Sequence, residues 1–493
     1  MIIKRKSHYF LFLLVYMIPC MAQNATVGTT EYSIETSGSA SKGKYTPFWI
    51  VSNRYGVVPL DVNNAFLRTG VFHAQSLGNR LHWSAGIDML AATPRYRTVY
   101  LQQLFAAIQY KNLNLTVGSH ENYMSLWDRE LSSGDLVLSP NARPVPEINL
   151  SVPKFTPVPF TKRYLQFRGH IALGKSFDSR YLQSFVNENT TYVENVRWHH
   201  KSLQLRFIDP DNHFPLTAVA GMHHSAQWGG TSTNPKLGKQ PQSFKDLIRV
   251  ILGKSGGDDA SLSDRINVLG NHYGSYEVQF GYLHTDFNIH IYKQHFFDDV
   301  SGMELYNIQD GLYGLQIDIQ SFSPINKIVV EYLDTRYQSG PLHWLWFDRD
   351  KYPGYGGGMD NYYNNGEYTT GISYFNRSLG SPLLTSPEYN ENNALGFHDN
   401  RIRAFHLGFQ GYLSKQFSYR LLSTSSESWG TMARPLLKKK NNFSLAAKIS
   451  YRHPRLEDWL FTAEVAADTG SQYGDNTGIS ISIKKTGILK RWN

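Results

Sequence analysis

An all-β fold is predicted: a transmembrane antiparallel outer-membrane β-barrel of about 18 strands, with short helices in long loops. Three observations predict it. Apolar and polar residues alternate with period two from about Phe48 onward. No run of 18 apolar residues follows the N-terminal segment, so no helical span is expected in the 493-residue chain. The composition includes 31 Tyr, 27 Phe and 10 Trp against a single Cys, an aromatic supply that suits girdles at both membrane interfaces.

The bulk numbers exclude other classes. With 41% hydrophobic and 14% aromatic residues the chain is not disordered, and one cysteine cannot build a disulfide scaffold. The formal charge of +9 falls to +6 if residues 1–22, with Lys4, Arg5 and Lys6, are removed. Basic and acidic residues are interspersed, so no nucleic-acid partner is expected.

Residues 1–22 read as a signal peptide: the three basic residues, then a short apolar core from Phe10 to Ile18, then cleavage near Ala22. Pro19 before Cys20 argues against lipidation, and cleavage would remove the cysteine. Residues 23–44, rich in Ser, Thr and Gly, read as a flexible N-terminal segment, and 45–493 as the barrel.

The alternation then runs strand by strand. Leu81, Trp83, Ala85, Ile87 and Met89 oppose His82, Ser84, Gly86 and Asp88; Leu113, Leu115 and Val117 oppose Asn112, Asn114 and Thr116. Leu165 and Phe167 oppose Gln166 and Arg168; Leu203, Leu205 and Phe207 oppose Gln204 and Arg206. Val278 and Phe280, Ile289 and Ile291, Ile317 and Ile319, Phe405 and Leu407, and Ile479 and Ile481 carry the same rhythm. Polar connectors at Tyr110–Lys111, His284 to Asp286 and Lys415–Gln416 have hairpin spacing. A soluble sandwich gives the same alternation. Here the second face carries Arg, His, Gln, Glu, Asp and Lys, as a wet or plugged lumen requires.

Three insertions break the meander, at 121–161, 223–273 and 339–367. The first has a possible short helix near Met124 to Leu131 and a proline-rich run from Pro140 to Pro159. The second holds the best helix: Ser243 and Asp246 form a variant capping box ahead of Phe244, Leu247, Ile248 and Ile251 on one face. The third interleaves Trp344, Trp346, Tyr352, Tyr355, Tyr362 and Tyr363 with Asp360 and Asn361. Flat aromatic faces beside carboxylates and amides match the apolar C–H faces and hydroxyl rim of a sugar ring. These residues, with Trp228, are the expected glycan contacts. With a periplasmic N-terminus the first two insertions fall outside the cell. The face of the third depends on the strand count before it.

No catalytic residues, metal site or cofactor are expected. Adjacent residues on a strand point to opposite faces, so His199–His200 and His223–His224 each offer one ligand to a given side. The GKSGG run at Gly253 lacks the phosphate-loop frame. Ser225, beside His224 and near Gln227, is the one local hydrolase-like grouping and is read as barrel wall.

Several segments resemble the capsule assembly protein Wzi family in its Bacteroidetes-type form. They are the expected opening strand with its connector, YTPFWIVSNRYGVV (45–58), then HSAQWGG (224–230), LGNHYGSYE (269–277), MDNYYNNGEYTTGISY (359–374) and NRIRAFHLGFQGYL (400–413). The likeness spans nearly all of the chain from Tyr45. It implies an 18-stranded barrel of a Gram-negative outer membrane with a periplasmic helical element, and a lectin-like, non-enzymatic role in holding capsular polysaccharide. The chain departs from the proteobacterial branch in two places: no helical bundle precedes its first strand, and it ends Arg491–Trp492–Asn493. Implied partners are outer-membrane lipids, surface or capsular polysaccharide, and a lipoprotein or capsule export machinery. A passive channel or export pore and a structural barrel partnering a lipoprotein are the alternative expectations.

Overall fold

The computed structural model describes residues 27–94, 99–211, 213–341 and 358–492. The expected signal peptide with Cys20, and Trp344, Trp346, Tyr352 and Tyr355, lie outside the described residues.

Eighteen strands form one antiparallel sheet. In chain order they are β1 Val27–Lys42, β2 Asn63–Leu77, β3 Leu81–Thr93, β4 Tyr100–Tyr110, β5 Leu113–Ser119 and β6 Glu147–Pro157. Then come β7 Leu165–Lys175, β8 Arg197–Phe207, β9 Leu216–Trp228, β10 Asn271–Leu283, β11 Phe287–Phe297 and β12 Gly311–Ile319. The last six are β13 Lys327–Asp334, β14 Ile402–Tyr412, β15 Phe417–Gly430, β16 Pro435–Arg452, β17 Trp459–Gly470 and β18 Asn476–Trp492. Each pairs with its sequence neighbours, and β1 closes the barrel on β18, from Gly28 opposite Trp492 to Lys42 opposite Thr477. Closure leaves no edge to lipid, where an unpaired backbone group costs several kcal/mol.

β1 corrects one expectation. Residues 27–42 are not a flexible segment but a strand bonded on both sides, because ladder hydrogen bonds come from the backbone and tolerate Ser, Thr and Gly. The opening segment at 45–58 is likewise no strand: Phe48–Val51 forms one helical turn, α1, with all four side chains buried.

The alternation has the sense a membrane demands. Leu203, Phe280, Phe405 and Ile481 stand exposed on the outer wall, whereas Gln204, Glu277, His406 and Ser480 are buried on the inner one. Turns at 78–80, 111–112, 158–164, 208–215, 284–286, 320–326, 413–416 and 453–458 share one end with both described termini. That end is periplasmic, since such barrels keep short turns there and long loops outside. The expected hairpins at Tyr110–Lys111, His284 to Asp286 and Lys415–Gln416 are among these turns.

The long connections cluster at the opposite, extracellular end: 43–62, 120–146, 176–196, 229–270, 298–310 and 335–401. The insertions therefore differ from their expected bounds. The prolines at 153 and 157 belong to β6, where a register shift between Val152 and Thr156 accommodates them. Residues 223–228 and 271–273 are strand, and the third insertion extends to 401. Met124 to Leu131 is not helical. Among the described residues the four further short α-helices are α2 Ser179–Phe185, α3 Phe244–Leu252, α4 Leu262–Ile266 and α5 Val300–Met303. All lie in extracellular connections; the implied periplasmic helical element has no counterpart among the described residues. The capping box of α3 is present as read, Ser243 accepting from the Asp246 N–H and Asp246 from the Ser243 N–H.

The hydrophobic core lies in the lumen. Segments 43–62, 120–146 and 358–401 fold inward and bury Trp49, Trp127, Leu136, Tyr363, Ile372 and Phe397 against wall residues such as Tyr273, Phe296 and Ile402. Residues 126–138 descend furthest. Asp128 meets Lys327, the first residue of β13, at 2.7 Å, and Glu130 meets Arg420 near the start of β15 at 2.9 Å. Above them Glu331 accepts from the Ser132 hydroxyl, the Ser133 N–H and the Tyr292 hydroxyl at 2.6–2.7 Å. A polar inner wall is thereby satisfied by a plug instead of by water.

Candidate functional site

The plug roots the third insertion at the extracellular rim. The Met359 N–H donates to the Gly340 carbonyl at 2.8 Å, and the Asp360 N–H to that of Gln338 at 3.0 Å. These bonds join the residues on either side of 342–357 into a neck. β13 is the thirteenth strand, so this neck shares the end of the other long loops, which answers the strand-count question left by the sequence.

The described candidate residues form the base of the neck. Asn361 accepts from the side chains of Asn400 at 2.7 Å and Asn364 at 3.0 Å. Tyr362 and Tyr363 are fully buried, both edge-on to Phe296, and the Tyr362 hydroxyl donates to Asp310 at 3.0 Å. The Tyr363 hydroxyl donates to the Leu136 carbonyl and accepts from the Ser381 N–H. Gly380 makes that approach possible, since a Cβ there would lie 2.1 Å from the Tyr363 oxygen. In this structure these two tyrosines pack inside the plug and are not presented at the surface. Trp228 is also buried, on the outer wall under the 229–270 connection, with the Arg197 guanidinium 5.1 Å from its ring.

Asp360 accepts from Ser339 at 2.7 Å and Ser301 at 3.3 Å, close to Asp298, Asp299 and Asp310. Burial, then the neighbouring Asp299, pushes the Asp360 carboxyl up to about 7. Burial raises Asp310 to about 6, and burial followed by Asp360 and Asp299 lifts Asp298 well above the carboxylate range. The folded rim therefore holds protons that an unfolded chain releases near pH 4. Stability contributed by these groups is complete below the unfolded value, about 4, and is lost as pH rises toward about 7. We expect hydrogen-exchange protection at 298–310 and 358–364, corrected for intrinsic rates, to fall by about tenfold or more between pH 5 and 8. Unchanged or rising protection would contradict this assignment.

Beside the neck lies a surface depression of about 290 Å³, lined by Arg336, Tyr337, Pro341, Met359, Arg401, Met432 and Pro435. Next to it Arg336, Arg403 and Lys439 surround the Trp429 ring at 5.1–5.8 Å. Asp334 and Glu427 pair with these cations. The sequence reading missed this group. Its signal was the aromatic and basic residues at the rim ends of β14 and β15, whose positions required the strand register.

The histidine pairs divide as the pleat requires. His200 faces inward and lies 2.8 Å from the Ser225 hydroxyl, while His199 and His224 face outward, so Ser225 and His224 do not share a side. Among the described residues, one grouping brings metal-compatible atoms together: Asp209, Asp211 and His213, on a periplasmic turn. Asp209 is there engaged in turn geometry, accepting from the N–H groups of Asp211 and Phe214.

The model of the family described as "Capsule assembly protein Wzi" matches residues 53–386. The chain belongs to that family. Its structure is similar to that of Wzi from Escherichia coli, described as an outer-membrane protein involved in group 1 capsule assembly and a carbohydrate-binding β-barrel. The two share 10% identity over 92% of this chain and 83% of that one, with a TM-score of 0.55. Pseudomonas aeruginosa OccK5 (OpdH) aligns with 9% identity over 94% and 99% of the two chains, TM-score 0.47. P. aeruginosa OprD aligns with 8% identity over 95% and 98%, TM-score 0.44. No curated protein matches. This Wzi-family chain is thus a Gram-negative outer-membrane barrel.

Proposed function

We propose that the protein is a non-enzymatic, lectin-like barrel that binds or organises capsular polysaccharide at the cell surface. The observation that supports this reading is the neck: the residues flanking 342–357 meet at the extracellular end of a barrel whose lumen holds an inward-folded plug. Trp344, Trp346, Tyr352 and Tyr355 are the proposed sugar-contacting residues. Asp360, Asn361, Tyr362 and Tyr363 form the base of the neck, and Trp228 packs at the same rim. Membership of the Wzi family and the carbohydrate binding named for the E. coli protein support the same role. The inward-folded segments 43–62, 120–146 and 358–401 occupy the lumen, which argues against a freely open diffusion channel.

Ring-face contacts between aromatic pairs contribute about 0.5–1.5 kcal/mol each beyond the area they bury, and a sugar face on an indole is taken at the same order. Replacing both Trp344 and Trp346 by Ala is therefore expected to weaken binding of purified capsular polysaccharide by about tenfold or more, with the barrel's circular dichroism unchanged. Surface plasmon resonance on detergent-solubilised barrels checks this. Unchanged affinity and unchanged capsule retention on cells would remove the site from the reading.

A further inference from the structure

Connection 229–270 touches the plug at its base, where the Gly229 carbonyl accepts from the Tyr368 hydroxyl at 3.3 Å. It folds over the outer wall, and strand parity shows it. On β8, Leu203 and Leu205 face lipid, so Lys201, His199 and Arg197 share their side. On β9, outward Leu216 and Ala220 put His224, Ala226 and Trp228 outward, while Gln227 faces in and donates to the Gly371 carbonyl of the plug. On β10, Val278 and Phe280 put His272 outward.

These outward residues are covered nonetheless. Ala226 and His199 are 0% exposed, and Trp228 is 4% exposed. Val250 and Leu269 of the connection pack on Ala226 and Trp228, with Leu247 and Ala260 alongside. Polar ties fix the cover: Lys201 Nζ donates to the Ile251 carbonyl, Arg197 to that of Gln242 at 2.9 Å, and His272 Nε2 lies 2.9 Å from that of Leu269. His224 in turn lies 3.0 Å from His272. Bare to lipid, this row of histidines and a lysine would be costly; the flap replaces lipid over it.

The far side of the flap is itself apolar. Phe244, Ile248 and Leu252 recur every four residues along α3 and are 77%, 41% and 58% exposed, and Leu262 and Ile266 of α4 are 71% and 53% exposed. The surface continues the lipid belt. Lys201, bonded to the end of α3, stands two residues above lipid-facing Leu203, about 7 Å at ~3.4 Å per residue. Exposed Lys245 and Lys254 flank the apolar stripe.

We infer that α3 and α4 form an interfacial anchor, inserting Phe244, Ile248, Leu252, Leu262 and Ile266 among the acyl chains of the outer leaflet, with Lys245 and Lys254 on the phosphates of its phosphorylated lipid. The occupant is membrane lipid, because the flap is continuous with the belt and the exposed charges at the two ends of the α3 stripe, Lys245 and Lys254, are cationic.

The test uses full-length chains with Cys20→Ser, carrying nitroxide labels at Ile248→Cys, Leu252→Cys or, as a water-side control, Asp259→Cys. They are reconstituted in phosphatidylcholine vesicles with or without lipid A. Insertion by the ~5–10 Å usual for interfacial helices should raise the oxygen-to-nickel-chelate collision ratio at 248 and 252 about fivefold or more over that at 259. Equal ratios at all three positions overturn the anchor. Strong dipolar coupling between labels on neighbouring barrels, without oxygen enrichment, overturns it in favour of a second copy. The phosphate contact is read separately: lipid A should slow acetylation of Lys245 and Lys254 by several-fold relative to Lys236 on the same connection. Equal slowing of all three, or none, overturns that part.

Discussion

Replacing Arg377 by Ala is expected to loosen the plug by about 3–5 kcal/mol, the range for removing one partner of a buried ion pair. Arg377 is 2% exposed. Its Nε lies 3.0 Å from a Glu388 carboxylate oxygen, and its terminal nitrogens donate to the carbonyls of Val58 at 2.6 Å and Val51 at 3.4 Å. One side chain thus ties segment 43–62 to segment 358–401. The Ala variant strips Glu388 of the guanidinium and both carbonyls of their donor while leaving them buried. Arg377→Lys keeps the charge but cannot reproduce the fork, so it should fall between. Hydrogen exchange reads the result: amides at 48–60 and 372–386 should exchange faster by about two orders of magnitude or more, while β14 to β18 keep their protection. Uniform loss along the strands would mean that Arg377 supports the whole barrel and not the plug.

The barrel was legible because lipid enforces a strict rule on every strand. Outward positions must be apolar, and the pleat returns each strand to that face every second residue. β1 escaped because its Ser, Thr and Gly residues satisfy the ladder without advertising it. Phe48 to Val51 read as a strand for the opposite reason: four apolar residues in a row signal burial, not the geometry of burial. The plug was hidden in the same way. Trp127, Leu131, Tyr362 and Tyr363 carry the composition of a core, but nothing local says that their core is the lumen. The capping box of α3 was readable since Ser243 and Asp246 are neighbours on one turn. That α3 covers outward histidines of β8 to β10 depended on pairings between distant segments. The rim group around Trp429 was invisible on the same ground.

Excising residues 124–138, with a short Gly-Ser bridge between the flanks, is expected to turn a closed barrel into an ion-conducting one. Barrels of 16–18 strands are wide enough for an aqueous channel unless something fills them. Here the descending segment does so, holding Lys327 through Asp128, Arg420 and Lys448 through Glu130, and Glu331 through Ser132 and Ser133. Its loss leaves those wall groups with only their wall partners, Asp318, Glu464 and Tyr292, and water takes up the bonding capacity that the plug had met, since unmet buried polar groups cost about 1–3 kcal/mol each. The strands need not change, because their ladder is closed independently through β1 and β18. In planar bilayers the excised barrel should therefore show single-channel currents at least about tenfold above those of the intact protein. Silence of the excised barrel, with its β-sheet spectrum intact, would show that segments 43–62 and 358–401 seal the lumen alone. Large currents from the intact protein would instead restore the channel as a function, and the polysaccharide platform would lose the closed floor on which it rests.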